Sequence, residues 1–300
     1  MTFTLLDLTT AALAGAGVGF LSGVFGLGGG FLIVPVLKIV LTGIPMEIAV
    51  GAGACQVLGP ATTSLLARRV ERRHFRFPLI ILGGLIIGGL GGVSALRWAR
   101  NFGTDGNIEL FGRTVTFIDF LVLSVYFTLL SFVGVFVIWE SRGEQDSFPS
   151  MSRGLLSGCR IPPLVEMEEF PSRKVSIPVL GWFGLGVGFL SGFLGMSGGL
   201  ILLPGLVYLL GMKTQQAVTS SLVIVWLVAM QNTVAHAWHG NVNLSLVMAL
   251  LVGGTIGARV GSEMGMKLAG RMLRVRFGWL LIITACMIGW KLFSMFATAE

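Results

Sequence analysis

The chain carries one unusual stretch twice. GVFGLGGGFLIVPVL at residues 23–37 returns as GFLGMSGGLILLPGL at residues 192–206. Each copy sets a glycine cluster, which interrupts a helix, inside an apolar run followed by a single proline. A shift of 169 places aligns Val18-Gly19-Phe20-Leu21-Ser22-Gly23 with Val187-Gly188-Phe189-Leu190-Ser191-Gly192, Gly26 with Gly195, Gly29-Gly30 with Gly198-Gly199, and Pro35 with Pro204. After a one-residue deletion Ala49-Val50-Gly51-Ala52 meets Ala217-Val218-Thr219-Ser220, and Gly84, Gly88 and Gly92 meet Gly253, Gly257 and Gly261 at the original spacing. The chain is therefore a duplication: a first repeat over 1–139, a linker over 140–177 and a second repeat over 178–300.

The medium follows from composition. Of 300 residues 54% are hydrophobic and 12% charged, about half the charged share of a soluble domain. Apolar stretches near residues 10–42, 46–66, 77–96, 118–138, 178–210, 216–235, 244–261 and 277–295 reach the roughly 20 residues that cross a bilayer. That is four segments per repeat, here a to d, and it predicts an all-α integral membrane protein. Residues 1–9 hold Asp7 and no Lys or Arg, so the first stretch reads as a retained segment rather than a signal peptide. The linker, with six acidic residues, five basic ones and prolines at 149, 162, 163 and 171, reads as solvated. About 14 extra residues, including NFGTDGN, form a loop between segments c and d of the first repeat.

Charge placement orients the repeats. The net charge of +7 comes from basic residues at segment ends, which argues for membrane orientation and against nucleic acid. RRVERRHFR follows the first segment b, whereas AWHGNVN follows the second; after segment c the bias reverses, with Lys267, Arg271, Arg274 and Arg276 in the second repeat. If each segment a crosses once, the 21 basic residues divide into 11 inside and 10 outside; if each goes in and returns, 16 fall inside and 5 outside. The positive-inside rule selects the second arrangement, two inverted repeats with a cytoplasmic linker. Segment a then becomes a re-entrant or broken hairpin tipped by glycines, its second arm starting near Gly29-Gly30 and Gly198-Gly199 with free N–H groups and a positive dipole end aimed at mid-membrane. Such ends attract anions. The glycines at 84, 88, 92, 253, 257 and 261 read as a packing stripe.

With AVGAGA and AVTSSL opening the two segments b, these residues resemble the paired signature of the TauE/SafE family of membrane transporters, the sulfite exporters. The resemblance covers the chain apart from the linker and the insertion. It implies a carrier in the inner membrane that moves a small sulfur-containing anion such as sulfite, sulfoacetate or a related sulfonate. It further implies a pathway lined by Gly28, Gly29, Gly30, Gly51 and Ala52 and by Ser197, Gly198, Gly199, Thr219, Ser220 and Ser221. The first repeat departs from the pattern, with Gly51-Ala52-Gly53 where a Thr-Ser pair is common, which leaves backbone donors only.

Other polar residues divide between packing and function. Gln56 and Gln231 can donate to a sulfonate oxygen without adding charge. Arg259 reads either as an arginine snorkelling to the cytoplasmic surface or as an anion counter-charge. Glu47, Asp119 and Glu263 sit at segment ends and read as interface markers. His236 and His239 leave room for a coupling proton, and a homodimer is open. Cys55, Cys159 and Cys286 give neither disulfide nor metal spacing, and no cofactor or metal is expected. Two rivals remain: a passive anion channel using the same helix ends, and an intramembrane serine hydrolase built on Gly195-Met196-Ser197-Gly198 with His236 or His239 as base. The alignment of Ser197 with Gly28 speaks against a nucleophile.

Overall fold

A computed structural model describes residues 4–25, 30–41, 43–67, 76–101, 107–110, 113–141, 161–166, 174–212, 214–265 and 270–297. The first repeat contains α1 (Leu5–Phe25), α2 (Gly30–Val40), α3 (Met46–Gln56), α4 (Leu58–Ala67), α5 (Arg76–Arg100) and α6 (Phe117–Ser141); the second contains α7 (Ile177–Leu194), α8 (Gly199–Pro204), α9 (Thr214–Trp238), α10 (Leu244–Gly265) and α11 (Gly270–Ala297). Eight runs are long and apolar enough to cross a membrane, so the architecture is that of an all-α, multi-pass membrane protein.

Local chemistry explains where the helices depart from the apolar stretches. Thr4 and Asp7 form a capping box: the Thr4 hydroxyl accepts from the Asp7 N–H at 3.2 Å and the Asp7 carboxylate accepts from the Thr4 N–H at 2.9 Å. This cap starts α1 at Leu5, giving it 21 residues, so the first arm of segment a is longer than its apolar stretch. Pro60 has no N–H for the Gln56 carbonyl and its ring crowds that group, which divides segment b into α3 and α4 at Val57. In the second repeat α8 runs on into a π-helical turn over Gly205–Leu209. Two strand pairs were not apparent from hydropathy: β1 (Asn107–Leu110) antiparallel to β2 (Arg113–Thr116) in the insertion, and β3 (Leu164–Glu166) antiparallel to β4 (Lys174–Ser176) in the linker. Cys159 lies outside the described residues.

The repeats interlock. α1 packs along α10, not along its own repeat's segment c, and α5 packs along α7. Small residues allow this contact to be backbone on backbone. Gly15, Gly19 and Gly23 lie against Leu250, Gly254 and Ala258, in increasing order along both chains, so α1 and α10 are parallel. Gly84, Gly88 and Gly92 similarly meet Gly181, Leu185 and Phe189, so α5 and α7 are parallel. The two segments b run antiparallel: Gly51 meets Asn241, and Thr62 accepts from the Trp226 indole at 3.0 Å. Both segments d, α6 and α11, are antiparallel as well, Phe127 facing Gly289 and Ile138 facing Gly278.

The glycine contacts give a direct test. A methyl at Gly19 would lie 2.7 Å from the Gly254 Cα, while one at the exposed Gly17 would meet nothing within 4 Å. Gly19→Ala should cost about 1–3 kcal/mol by overpacking, whereas Gly17→Ala should be neutral or stabilise by up to ~1 kcal/mol through helix propensity. Thermal unfolding in detergent should therefore rank Gly17→Ala at or above wild type and Gly19→Ala clearly below; equal melting would contradict the packing.

Candidate functional site

The second glycine cluster forms a tight tip between α7 and α8. Gly195 (φ 68°) and Gly198 (φ 73°) both adopt the left-handed conformation, which side chains disfavour by about 1–2 kcal/mol. Gly195 also lies against the Val50 backbone of α3, closing the tip from the first repeat.

Ending a helix here leaves carbonyls without partners, and side chains supply donors to them. The Tyr126 hydroxyl donates to the Leu194 carbonyl at 2.7 Å. Ser191 donates to the Met196 carbonyl, and the Asn232 amide in turn donates to the Ser191 hydroxyl at 2.8 Å. His236 Nε2 lies 3.1 Å from the Gly192 carbonyl, with its Nδ1 3.4 Å from the Asn241 amide nitrogen. Three of the tip's carbonyls, those of Gly192, Leu194 and Met196, thus have partners. The N–H groups of Gly198, Gly199 and Leu200, at the start of α8, have no hydrogen-bond acceptor among the described residues. Free donors at a helix start suit an anion.

The start of α2 meets this tip. A methyl at Gly30 would lie 3.2 Å from the Ser197 nitrogen and 3.4 Å from the Met196 Cα. Gly30 also touches Val57, near the midpoint of the Met46–Leu66 run. Preceding Val57 in the chain, Gln56 is 0% exposed, its amide nitrogen lies 2.5 Å from where a methyl on Gly254 of α10 would be, and neither amide atom has a partner among the described residues. Ser197 is 2% exposed, and its hydroxyl likewise lacks one.

Not every expected residue converges here. Gly28 and Gly29 lie outside the described residues. Gly51 packs against the Asn241 backbone, and it is Val50 and Gly53 that approach the second tip. Ala52 and Ser220 are buried, Thr219 is half-buried, and Ser221 donates to the Val218 carbonyl one turn back at 2.9 Å. Gln231 donates to the Ile86 carbonyl at 3.1 Å, so its amide joins α9 to α5. Arg259 stands on the exposed face of α10, opposite the buried Gly257 and Ala258. Glu47 and Asp119 are more than boundary markers. Asp119 accepts from Lys38 at 2.6 Å, and Glu47 lies 3.9 Å from Arg100. The residue missed in sequence is Tyr126; Ser191 lies in the duplicated Val187–Gly192 stretch and Asn232 among the polar residues of the second segment b, and only the fold sets them around the tip. Neither ring nitrogen contact of His236 is to Ser197, and His239 bonds the Ala235 carbonyl, so no Ser–His pair is assembled among the described residues.

An unpartnered buried amide costs about 1–3 kcal/mol. Gln56→Leu should accordingly raise the melting temperature of the unliganded protein while reducing the stabilisation gained from its anion. A lower melting temperature with an unchanged ligand shift would make Gln56 a structural residue.

Comparison with known proteins agrees with this reading at the level of the family. The chain matches the family described as Sulfite exporter TauE/SafE over residues 11–288. It is 24% identical over 290 residues to a "Probable membrane transporter protein" of Xylella fastidiosa (strain Temecula1 / ATCC 700964), covering 96% of this chain and 97% of the relative. It is 29% identical over 102 residues to the "Probable membrane transporter protein YunE" of Bacillus subtilis (strain 168), 34% of this chain and 37% of the relative. No solved structure matches it.

Proposed function

The chain belongs to the TauE/SafE sulfite exporter family, and from that premise we propose that this membrane transporter is a secondary carrier for a small sulfur-containing anion. Sulfite, sulfoacetate and related sulfonates are the substrate class, moved out of the cell across the inner membrane by alternating access. The observation that carries the proposal is the tip between α7 and α8, where the Leu194, Met196 and Gly192 carbonyls are bonded by Tyr126, Ser191 and His236 while the N–H groups of Gly198, Gly199 and Leu200 have no acceptor among the described residues. The anion's oxygens accept from these N–H groups. Gln56 and Ser197 add neutral donors, and Gly30 with Gly199 sets the opposed ends of the two short arms around the ligand.

We place the halves in inverted orientation, with each segment a as a hairpin that turns back inside the membrane. Equivalent segments of two repeats pointing the same way would run parallel. The antiparallel pairing of α3–α4 with α9 and of α6 with α11 supports the inverted reading, as does the meeting of Gly30 with the middle of a membrane-length run. In this orientation the linker 140–177 is cytoplasmic, as is the arginine-rich loop before α5.

Labelling single cysteines from either side checks the orientation. Residues 72 and 272, replaced by cysteine in a background without native cysteines, should react only from the cytoplasm, and Gly240→Cys only from outside. Opposite exposure of 72 and 272 would contradict it. Function is tested by counterflow in liposomes with anions selected by thermal shift. Accumulation of labelled sulfite driven by internal sulfite is expected of a carrier, while dissipation without accumulation would indicate a channel. Ser197→Ala should keep most transport, losing one hydrogen bond worth about 0.5–1.5 kcal/mol, or up to about 3 if the bond is to the charged anion. Complete loss together with covalent labelling of Ser197 by a serine-directed inhibitor would point to a hydrolase.

A further inference from the structure

A second charged feature lies apart from the glycine tips. At the end of the molecule where α2, α5 and α11 finish and α3 and α6 begin, a cavity of about 470 Å³ is lined by Lys38, Glu47, Arg100, Asp119 and Lys291. Five helices each contribute one charge. Lys38 is committed: its ammonium bonds Asp119 at 2.6 Å and the Ile44 carbonyl at 3.0 Å, and both charged side chains are largely buried. Arg100 makes two long contacts, 3.9 Å from Nη1 to Glu47 and 3.5 Å from Nε, which donates to the Asn101 side-chain oxygen; the other guanidinium donors have no partner among the described residues. Lys291 has no ion-pair or hydrogen-bond partner for its ammonium among the described residues.

Among the described residues three positive groups therefore face two negative ones, and both negative groups already have a partner. The surplus is positive and sits on Arg100 and Lys291. A cleft of this kind with low-dielectric walls focuses its field and concentrates counter-ions. Nor is the cluster a by-product of the duplication: under the repeat offsets Lys38, Glu47 and Arg100 fall on Val207, Gln215 and Ala269. Lys38 is eight residues beyond Gly30 on α2, about 12 Å along the helix. That helix joins the cavity to the central tips.

We propose that this cavity is a second anion-binding site, a vestibule in which Arg100 and Lys291 hold a sulfonate, sulfite or carboxylate group, with the Lys38–Asp119 pair as its floor toward the centre. Arg100 supplies the planar fork that matches two oxygens of an oxyanion and Lys291 a point charge. Glu47, facing Arg100 loosely, yields to a better acceptor and keeps the vestibule weak enough to release its ion. The site rests on the anion-transport reading only for its role in transport; its binding is independent of that reading. In the orientation proposed above it opens away from the cytoplasm, as an exit vestibule for export.

Isothermal titration of the purified full chain with sulfite and with sulfoacetate at low ionic strength, then at high, tests the site. Wild type should show two classes of binding, the weaker one fading with salt. The Arg100→Gln/Lys291→Gln double variant should weaken that class about tenfold or more and leave the tighter one. Arg100→Lys/Lys291→Arg should restore most of it, and Gln56→Leu should affect only the tighter class. A double glutamine variant that binds both probes like wild type overturns the vestibule. If instead that variant loses all binding and Gln56→Leu loses none, the vestibule stands and the central site fails. No binding of either probe to wild type at low salt contradicts both.

Discussion

A helix broken inside a bilayer must find partners for its freed backbone groups within the protein, and this requirement organises the molecule. At the tip between α7 and α8 it is met on one side only. Hydroxyl and imidazole groups from α6, α7 and α9 occupy the Leu194, Met196 and Gly192 carbonyls, while the first N–H groups of α8 have no acceptor among the described residues. An orphan carbonyl in hydrocarbon costs several kcal/mol, so leaving donors free while capping acceptors selects the sign of the ligand. The tip is also walled by the other repeat, with Val50 against Gly195 and Gly30 against Ser197.

That wall exists because the most extensive helix contacts run between the halves. α1 lies along α10 and α5 along α7, with glycines bringing main chain against main chain at Gly19–Gly254 and Gly88–Leu185. Close backbone approach maximises dispersion where burial from water cannot drive helix association. Each long arm and its partner thus behave as one unit, and any rocking between inward and outward states is expected to carry these pairs as bodies. α6 and α11 meet differently, through side chains such as Phe127 and Ile138 against Gly289 and Gly278, a contact that can slide.

Much of this was legible in the sequence because the signals were redundant. The eight apolar segments, the duplicated glycines and the alternating basic loops each pointed to a duplicated membrane protein with interrupted helices. What escaped had physical reasons. The capping box of Thr4 and Asp7 lengthens α1 beyond its apolar stretch, and a hydropathy window does not register a cap. Pro60 splits segment b although the stretch stays apolar throughout. Lys38 is brought to Asp119, 81 residues away, only by the fold. Arg259 drew attention by being charged inside an apolar segment, yet its place on the helix wheel puts it on the outer face of α10. Tyr126 carries no motif, and its role, like that of Ser191 and Asn232, comes from where the chain places it.

The central claim is that free main-chain N–H groups at the glycine tip hold the anion. Amide resonances of Gly198, Gly199 and Leu200, followed by 15N–1H NMR in a selectively labelled sample during a sulfite titration, test it most directly. The account predicts saturable downfield proton shifts at these amides, tracking the tighter binding class, with little change at Gly17 on the outer face of α1. Saturable sulfite binding that leaves all three amides unmoved would contradict it.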